Sequence, residues 1–225
     1  MFSAHRLVFV ELFVVVAAPL LMAGTANQAV RFSAIFLVAA YCLVGLWRAG
    51  AIRDYLRPNW RGFVAALPGV LLRSAIAALA IASLVLVLHP NRLFCIPRAN
   101  PDLMLIIACF YAFVSVLPQE IAFRAYAAFR LDGLKVSPLP ATLLSAAVFG
   151  WVHILYGSWI SVALTFIAGI AFYRTYRGSS SILAAWLEHS LYGLAVFAIG
   201  LDHLFYSGPG TARLEAACMA APLWP

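Results

Sequence analysis

Apolar runs of around twenty residues recur from one end of the chain to the other, and polar residues mark the gaps between them. Each run is long enough to cross a hydrocarbon core of about 30 Å as a helix. A β-barrel would instead show alternating segments of about ten residues, and none appear. The pattern predicts spans at about 7–24, 31–48, 66–89, 103–131, 139–156, 159–175 and 180–201. Turn-forming breaks separate most of them: "AGTANQ", "RPNW", "HPNRLFCIPRANP", "KVSPLP", "YGS" and "RGSSS". The basic and aromatic stretch "GAIRDYLRPNWRGFVAALPG" is expected to lie along the interface. The tail after "YSGPG" is too short to form a domain, and no repeat, low-complexity tract or soluble domain is visible.

Composition sharpens this into a class. The 225 residues are 65% hydrophobic and 10% charged, where a soluble domain carries about a quarter charged residues. The mean hydropathy is +0.97. The fold class is therefore all-α, a polytopic transmembrane bundle of about seven spans forming one integral membrane domain. The formal net charge of +7 does not point to nucleic acid, because the basic residues are strung between apolar segments and report topology. With the N-terminus inside, alternate connections place Arg6, Arg48, Arg53, Arg57, Arg61, Arg130, Lys135, Arg174 and Arg177 on one side. The other side receives Arg31, Arg92, Arg98 and Arg213, so the expected topology is N-in, C-out.

The first segment imitates a secretory signal, with Arg6 ahead of an apolar stretch and small residues after it. Glu11 inside the stretch, and the spans that follow, favour an uncleaved first span. None of the four cysteines forms a C-x-x-C pair, which argues against a zinc knuckle or a thioredoxin-like site. Cys42 and Cys109 fall within spans as packing residues. Cys95 and Cys218 share the outer side, where they could pair if that side is oxidising; free thiols are the expectation.

Ionisable groups inside spans are costly and often mark function. Arg73 lies near a span end and is expected to snorkel, and Glu11 to satisfy a neighbouring helix. "LPQEIAFRAY" is different. Glu120 and Arg124 are i and i+4 on one face, so the guanidinium can hold the carboxylate ionised; a structural ion pair locking two helices is the plainer reading. In "VFGWVHILYG", Phe149 and His153 are also one turn apart, and "AWLEHSLYGLAVF" carries Glu188 and His189 with Gly193 a turn further on. Counted from the inner span ends, Glu120, His153 and His189 lie roughly 13–22 Å deep at about 1.5 Å per residue. They can meet in one layer, where a carboxylate base and an imidazole that positions water or stabilises an oxyanion would hydrolyse a bond.

"QEIAFR", "FGWVH" and "EHSLYG", in that order on successive apolar segments, resemble the CPBP family of glutamic intramembrane proteases. That family includes the CAAX prenyl endopeptidases of the Ras-converting type, and bacterial abortive-infection, bacteriocin-processing and sorting-linked relatives. The resemblance covers about 103–205, leaving 1–102 as additional N-terminal spans. Its pattern is Glu-Glu-x-x-x-Arg, Phe-x-x-x-His, then His-x-x-x-Asn or Asp. Arg124 matches the motif arginine, Phe149 and His153 the second motif, and His189 the third. The resemblance implies a water-activating glutamate helped by His153, with His189 and the polar residue after it at the oxyanion. Two positions depart from the pattern: Gln119 stands at the first glutamate and Gly193 at the Asn/Asp. Either Glu120 is the working carboxylate, with Gln119 positioning water or substrate, or the chain is an inactive relative. The first motif's "PQE" with an aromatic–Arg pair, and the third's "EH-x-LYG", are similar to a bacterial branch, which implies a bacterial inner membrane.

The reading that follows is an intramembrane endopeptidase acting on a membrane-tethered protein or peptide, without a metal or cofactor. Zinc is the alternative, because Glu and two His can bind it, but the H-E-x-x-H signature is missing. A membrane binding or immunity protein retaining the fold is a second alternative, supported by Gln119. A transporter is a third, without paired half-helices or repeat symmetry to support it.

Overall fold

The computed structural model describes residues 4–23, 27–206 and 211–220, so part of the expected "AGTANQ" and "YSGPG" breaks lies outside the described residues. No strand occurs among the described residues; the chain is a series of helices. They are α1 (Ala4–Ala23), α2 (Gln28–Arg48), α3 (Trp60–Leu88), α4 (Pro101–Gly133), α5 (Pro138–Val152, continued to Tyr156 by a tighter turn), α6 (Trp159–Ser179), α7 (Ile182–Ile199) and α8 (Thr211–Ala220). Six of the segments are long and apolar enough to cross a membrane, and a shorter apolar stretch occupies Phe13–Ala23. The seven expected spans are thus all helical, and the protein is an integral membrane bundle.

The breaks supply the helix starts. Asn27, Asn59, Asn100 and Ser158 each accept a backbone N–H from the first turn of the helix that follows, satisfying donors that have no partner within the helix. Pro101 and Pro138 open α4 and α5, where a missing N–H costs nothing. Gly157 ends the turn after α5 at φ 71°, in the left-handed region that glycine adopts freely. Residues 60–69 are the first turns of α3, which Asn59 caps, and Ile52–Tyr55 forms a separate turn before it.

In lipid, the apolar surface faces outwards and polar groups face the bundle. Leu21, Leu37, Leu79 and Val87 are exposed, whereas Leu46, Ala125, Phe149, Phe172, Tyr173 and Ala185 pack the interior. α7 runs through the middle, against α3, α4 and α6, while α5 and α6 pair along their length. α1 lies on α5, and α2 on the middle of α4.

Contacts sort the connections into two ends. At one, Asp132 accepts from Tyr55 at 3.0 Å and from Arg177 at 2.7 Å, and Asn59 donates to the Ser179 carbonyl at 3.1 Å. At the other, Arg31 donates to the Leu155 carbonyl at 3.2 Å, and Arg92 pairs with Asp202 and Glu215 at 3.2 and 2.8 Å. This alternation is the one that seven consecutive spans require.

Cys95 and Cys218 form a disulfide at that second end, with Cα atoms 5.1 Å apart. This corrects the expectation of free thiols. The pairing depends on α8 folding back onto Cys95–Ala99, a contact between residues 123 apart that no local pattern announces. A bridge over so long a loop restricts the unfolded chain strongly, by about 2–4 kcal/mol. Replacing both cysteines by Ser is therefore expected to lower the unfolding midpoint in detergent, and reductant should lower the wild-type midpoint to the same value.

Candidate active site

The site is built on an irregularity in α4. Pro118 lies inside the helix, has no N–H to donate, and crowds the carbonyl four residues back. The helix widens into a π turn over Ala112–Val116, returns to α over Leu117–Glu120, and widens again over Ile121–Tyr126. Such turns loosen the backbone ladder and recur at functional sites. Neighbouring helices take up the slack. The Trp186 indole of α7 donates to the Ala112 carbonyl at 2.7 Å, and the Ser145 hydroxyl of α5 to the Phe123 carbonyl at 2.8 Å.

Glu120 projects from between the two π turns and is fully buried. Its Oε1 lies 2.8 Å from His189 Nδ1 on α7. Its Oε2 is 3.4 Å from Arg124 Nε, within ion-pair range but outside hydrogen-bond geometry, so that oxygen accepts no hydrogen bond among the described residues. The buried Arg124 guanidinium lies 4.4 Å from the Phe149 ring centroid and 5.4 Å from that of Phe172. Two aromatic faces thus carry part of the cation's stabilisation. Its NH1 donates to the Phe123 carbonyl at 3.3 Å.

Aromatic rings hold both imidazoles. His189 stacks on Phe172, with centroids 4.7 Å apart and planes at 18°, and meets the edge of Phe149 at 5.2 Å. His153 also meets Phe149 edge-on, at 4.8 Å. Its Nδ1 is 2.7 Å from the Phe149 carbonyl. A carbonyl only accepts, so Nδ1 carries the hydrogen and Nε2 presents a lone pair. Beyond His153 stand Tyr156 and Phe205, at 5.9 and 6.3 Å.

The structure therefore brings Glu120, Arg124, Phe149 and His189 into contact and places His153 against the same Phe149 ring. Gln119 turns back along its own helix, donating to the Ser115 carbonyl and hydroxyl at 3.0 and 3.1 Å. Glu188 points elsewhere. It accepts from Arg73 Nε at 2.6 Å and from the Thr175 hydroxyl, tying α3 and α6 to α7. Arg73, expected to snorkel, is instead drawn inward by that buried carboxylate. Glu11 accepts from Tyr41 and Tyr126 at 2.7 and 2.6 Å and pairs with Arg130 at 2.9 Å, a structural clasp among α1, α2 and α4.

Gly193 is crowded. A Cβ there would come within 2.1 Å of the Tyr111 hydroxyl oxygen and 2.4 Å of its ring. Phe172, Ser145, Thr175 and Tyr111 all line the site or its supports and were not legible as site residues, being ordinary members of apolar helices; only the i+4 spacing of Gly193 from His189 hinted at a space to be filled. No group of three His, Cys, Asp or Glu able to hold a metal ion occurs among the described residues.

A buried carboxylate with one oxygen held and one free, next to two oriented imidazoles, is suited to moving a proton from water. The comparisons agree in class. A family model described as type II CAAX prenyl endopeptidase Rce1-like matches residues 100–195, the segment that carries all three motifs. No curated protein and no solved structure matches the chain. Over residues 100–195 the chain is thus similar to the Rce1-like type II CAAX prenyl endopeptidases, and this segment is set in a helical membrane protein.

Proposed function

We propose that the protein is a glutamic intramembrane endopeptidase in which Glu120 is the general base. The observation that carries this is the asymmetry of its carboxylate: Oε1 is held by His189, and Oε2 is buried without a hydrogen-bond donor. In this reading Oε2 takes a proton from water while the lone pair on His153 Nε2 orients the same molecule. The water oxygen attacks the scissile carbonyl carbon, and its π electrons move to the carbonyl oxygen. Collapse of the tetrahedral species breaks the C–N bond, and the proton held by Glu120 passes to the leaving amine. Arg124 keeps the carboxylate charged and in place. Gln119, bound to Ser115, has a supporting role in the helix or at the substrate.

The reaction is read as metal-free, because the H-E-x-x-H helix signature is missing and neither histidine has a partner histidine one turn away. Metal analysis of active protein tests this. The substrate is read as a membrane-tethered protein or peptide, since a site built among spans is reached most easily from lipid or one interface. Cleavage of a panel of tethered peptides by protein in liposomes, prenylated CAAX tails among them, tests the function. Retention of biological activity by both Glu120→Ala and His153→Ala would instead favour a binding protein.

The 225 residues are read as one integral domain of a bacterial inner membrane. The end bearing Arg48, Arg53, Arg57, Arg61, Lys135 and Arg177 faces the cytoplasm. The disulfide lies at the opposite end, as an oxidising outer side would allow. A membrane-impermeant thiol reagent should therefore label a cysteine introduced at Asn91 in intact cells and spare one introduced at Lys135. The reverse pattern would invert the topology.

A further inference from the structure

In its neutral form the His189 ring has one N–H, committed to Glu120 through Nδ1 at 2.8 Å. Its Nε2 is then an acceptor and has nothing to give a developing oxyanion. His153 is in the same position, its N–H facing the Phe149 carbonyl. Hydrolysis at this site needs a donor from elsewhere, aimed at the space beside His189.

The Tyr111 hydroxyl stands there. Gly193 lies one turn beyond His189 on α7 and shares its face, and the hydroxyl oxygen occupies the volume into which a side chain at 193 would project. The ring is braced edge-on by Phe197, a further turn along the same face, at 5.4 Å.

The π turn explains how α4 delivers both groups. Tyr111 and Glu120 are nine residues apart, which in a regular α-helix, at about 100° per residue, puts them on opposite sides. The π turn over Ala112–Val116 absorbs about one residue and swings them to within roughly 80° of each other.

We infer that Tyr111 is a catalytic residue whose hydroxyl donates the hydrogen bond to the tetrahedral oxyanion, and that Gly193 is glycine to admit it. The inference rests on the endopeptidase reading and adds a residue to it.

The test compares steady-state cleavage and thermal melting of wild type, Tyr111→Phe, Tyr111→Ala, and Tyr111→Ala combined with Gly193→Asn, on one tethered peptide. Loss of an oxyanion donor lowers kcat by about 10²–10³-fold. Tyr111→Phe is expected to show a loss of that order with KM and melting midpoint unchanged. The double variant should exceed Tyr111→Ala in kcat, because the cleared space accepts an amide donor from position 193. Tyr111→Phe at the wild-type rate, or losing activity only in step with its melting midpoint, overturns the inference and leaves the protease reading standing. A wild type without cleavage that depends on Glu120 overturns both.

Discussion

Glu120→Gln is expected to abolish peptide cleavage, with a loss of at least about 10²–10⁴-fold, the contribution of a positioned general base. The amide keeps the size of the side chain and can keep the contact to His189, so the fold and its melting midpoint should change little. It cannot take a proton from water. Gln119→Glu is the informative companion. That side chain is half-buried and turned onto Ser115, away from the aromatic enclosure around Arg124, so a carboxylate there should leave cleavage within a few-fold of wild type. Kinetics on a tethered peptide in liposomes decide it. If only Gln119→Glu cleaves, the chain as it stands is a binding protein and position 119 holds the chemistry.

Arg124→Met should have the largest effect on stability. Met replaces the guanidinium with a flexible apolar chain that still contacts Phe149 and Phe172, but Glu120 is then a buried carboxylate without its cation. Breaking a buried pair from one side costs about 3–5 kcal/mol, a large part of the margin of a typical domain. Melting in detergent should show the drop, and cleavage should fall with it. Combining Arg124→Met with Glu120→Gln removes both charges, and the midpoint should recover while activity stays absent. A double variant no more stable than Arg124→Met would show that the guanidinium acts by packing on the two rings and not by compensating the carboxylate.

Local pattern carried most of the fold. Seven apolar runs became seven helices, and the Asn, Ser and Pro residues in the breaks cap or open them. The helix containing Glu120 and Arg124 was legible as a special segment because two charges one turn apart cannot face lipid. Its phase was not. Periodicity assumes 3.6 residues per turn, and the π turn between Tyr111 and Glu120 rotates Tyr111 into a position that an α-helical wheel denies it. Phe172 illustrates another limit. It packs against Arg124, Phe149 and His189 from a helix without a motif, and one phenylalanine among sixteen carries no mark of it in the sequence. Arg73 was misread because its partner lies 115 residues away.

That last pairing ties the matched segment to the helices before it. Glu188, next to the histidine that holds Glu120, is neutralised by Arg73 of α3, and Arg130 of α4 by Glu11 of α1. Both partners precede residue 100, ahead of the segment that the family model matches. The matched segment is therefore not an electrically complete module. A graft of 100–195 onto other helices would inherit a buried, unmatched carboxylate beside its histidine and an unmatched guanidinium at the far end of α4. Helices α1 and α3 thus supply the counter-charges of the matched segment, through Glu11 and Arg73.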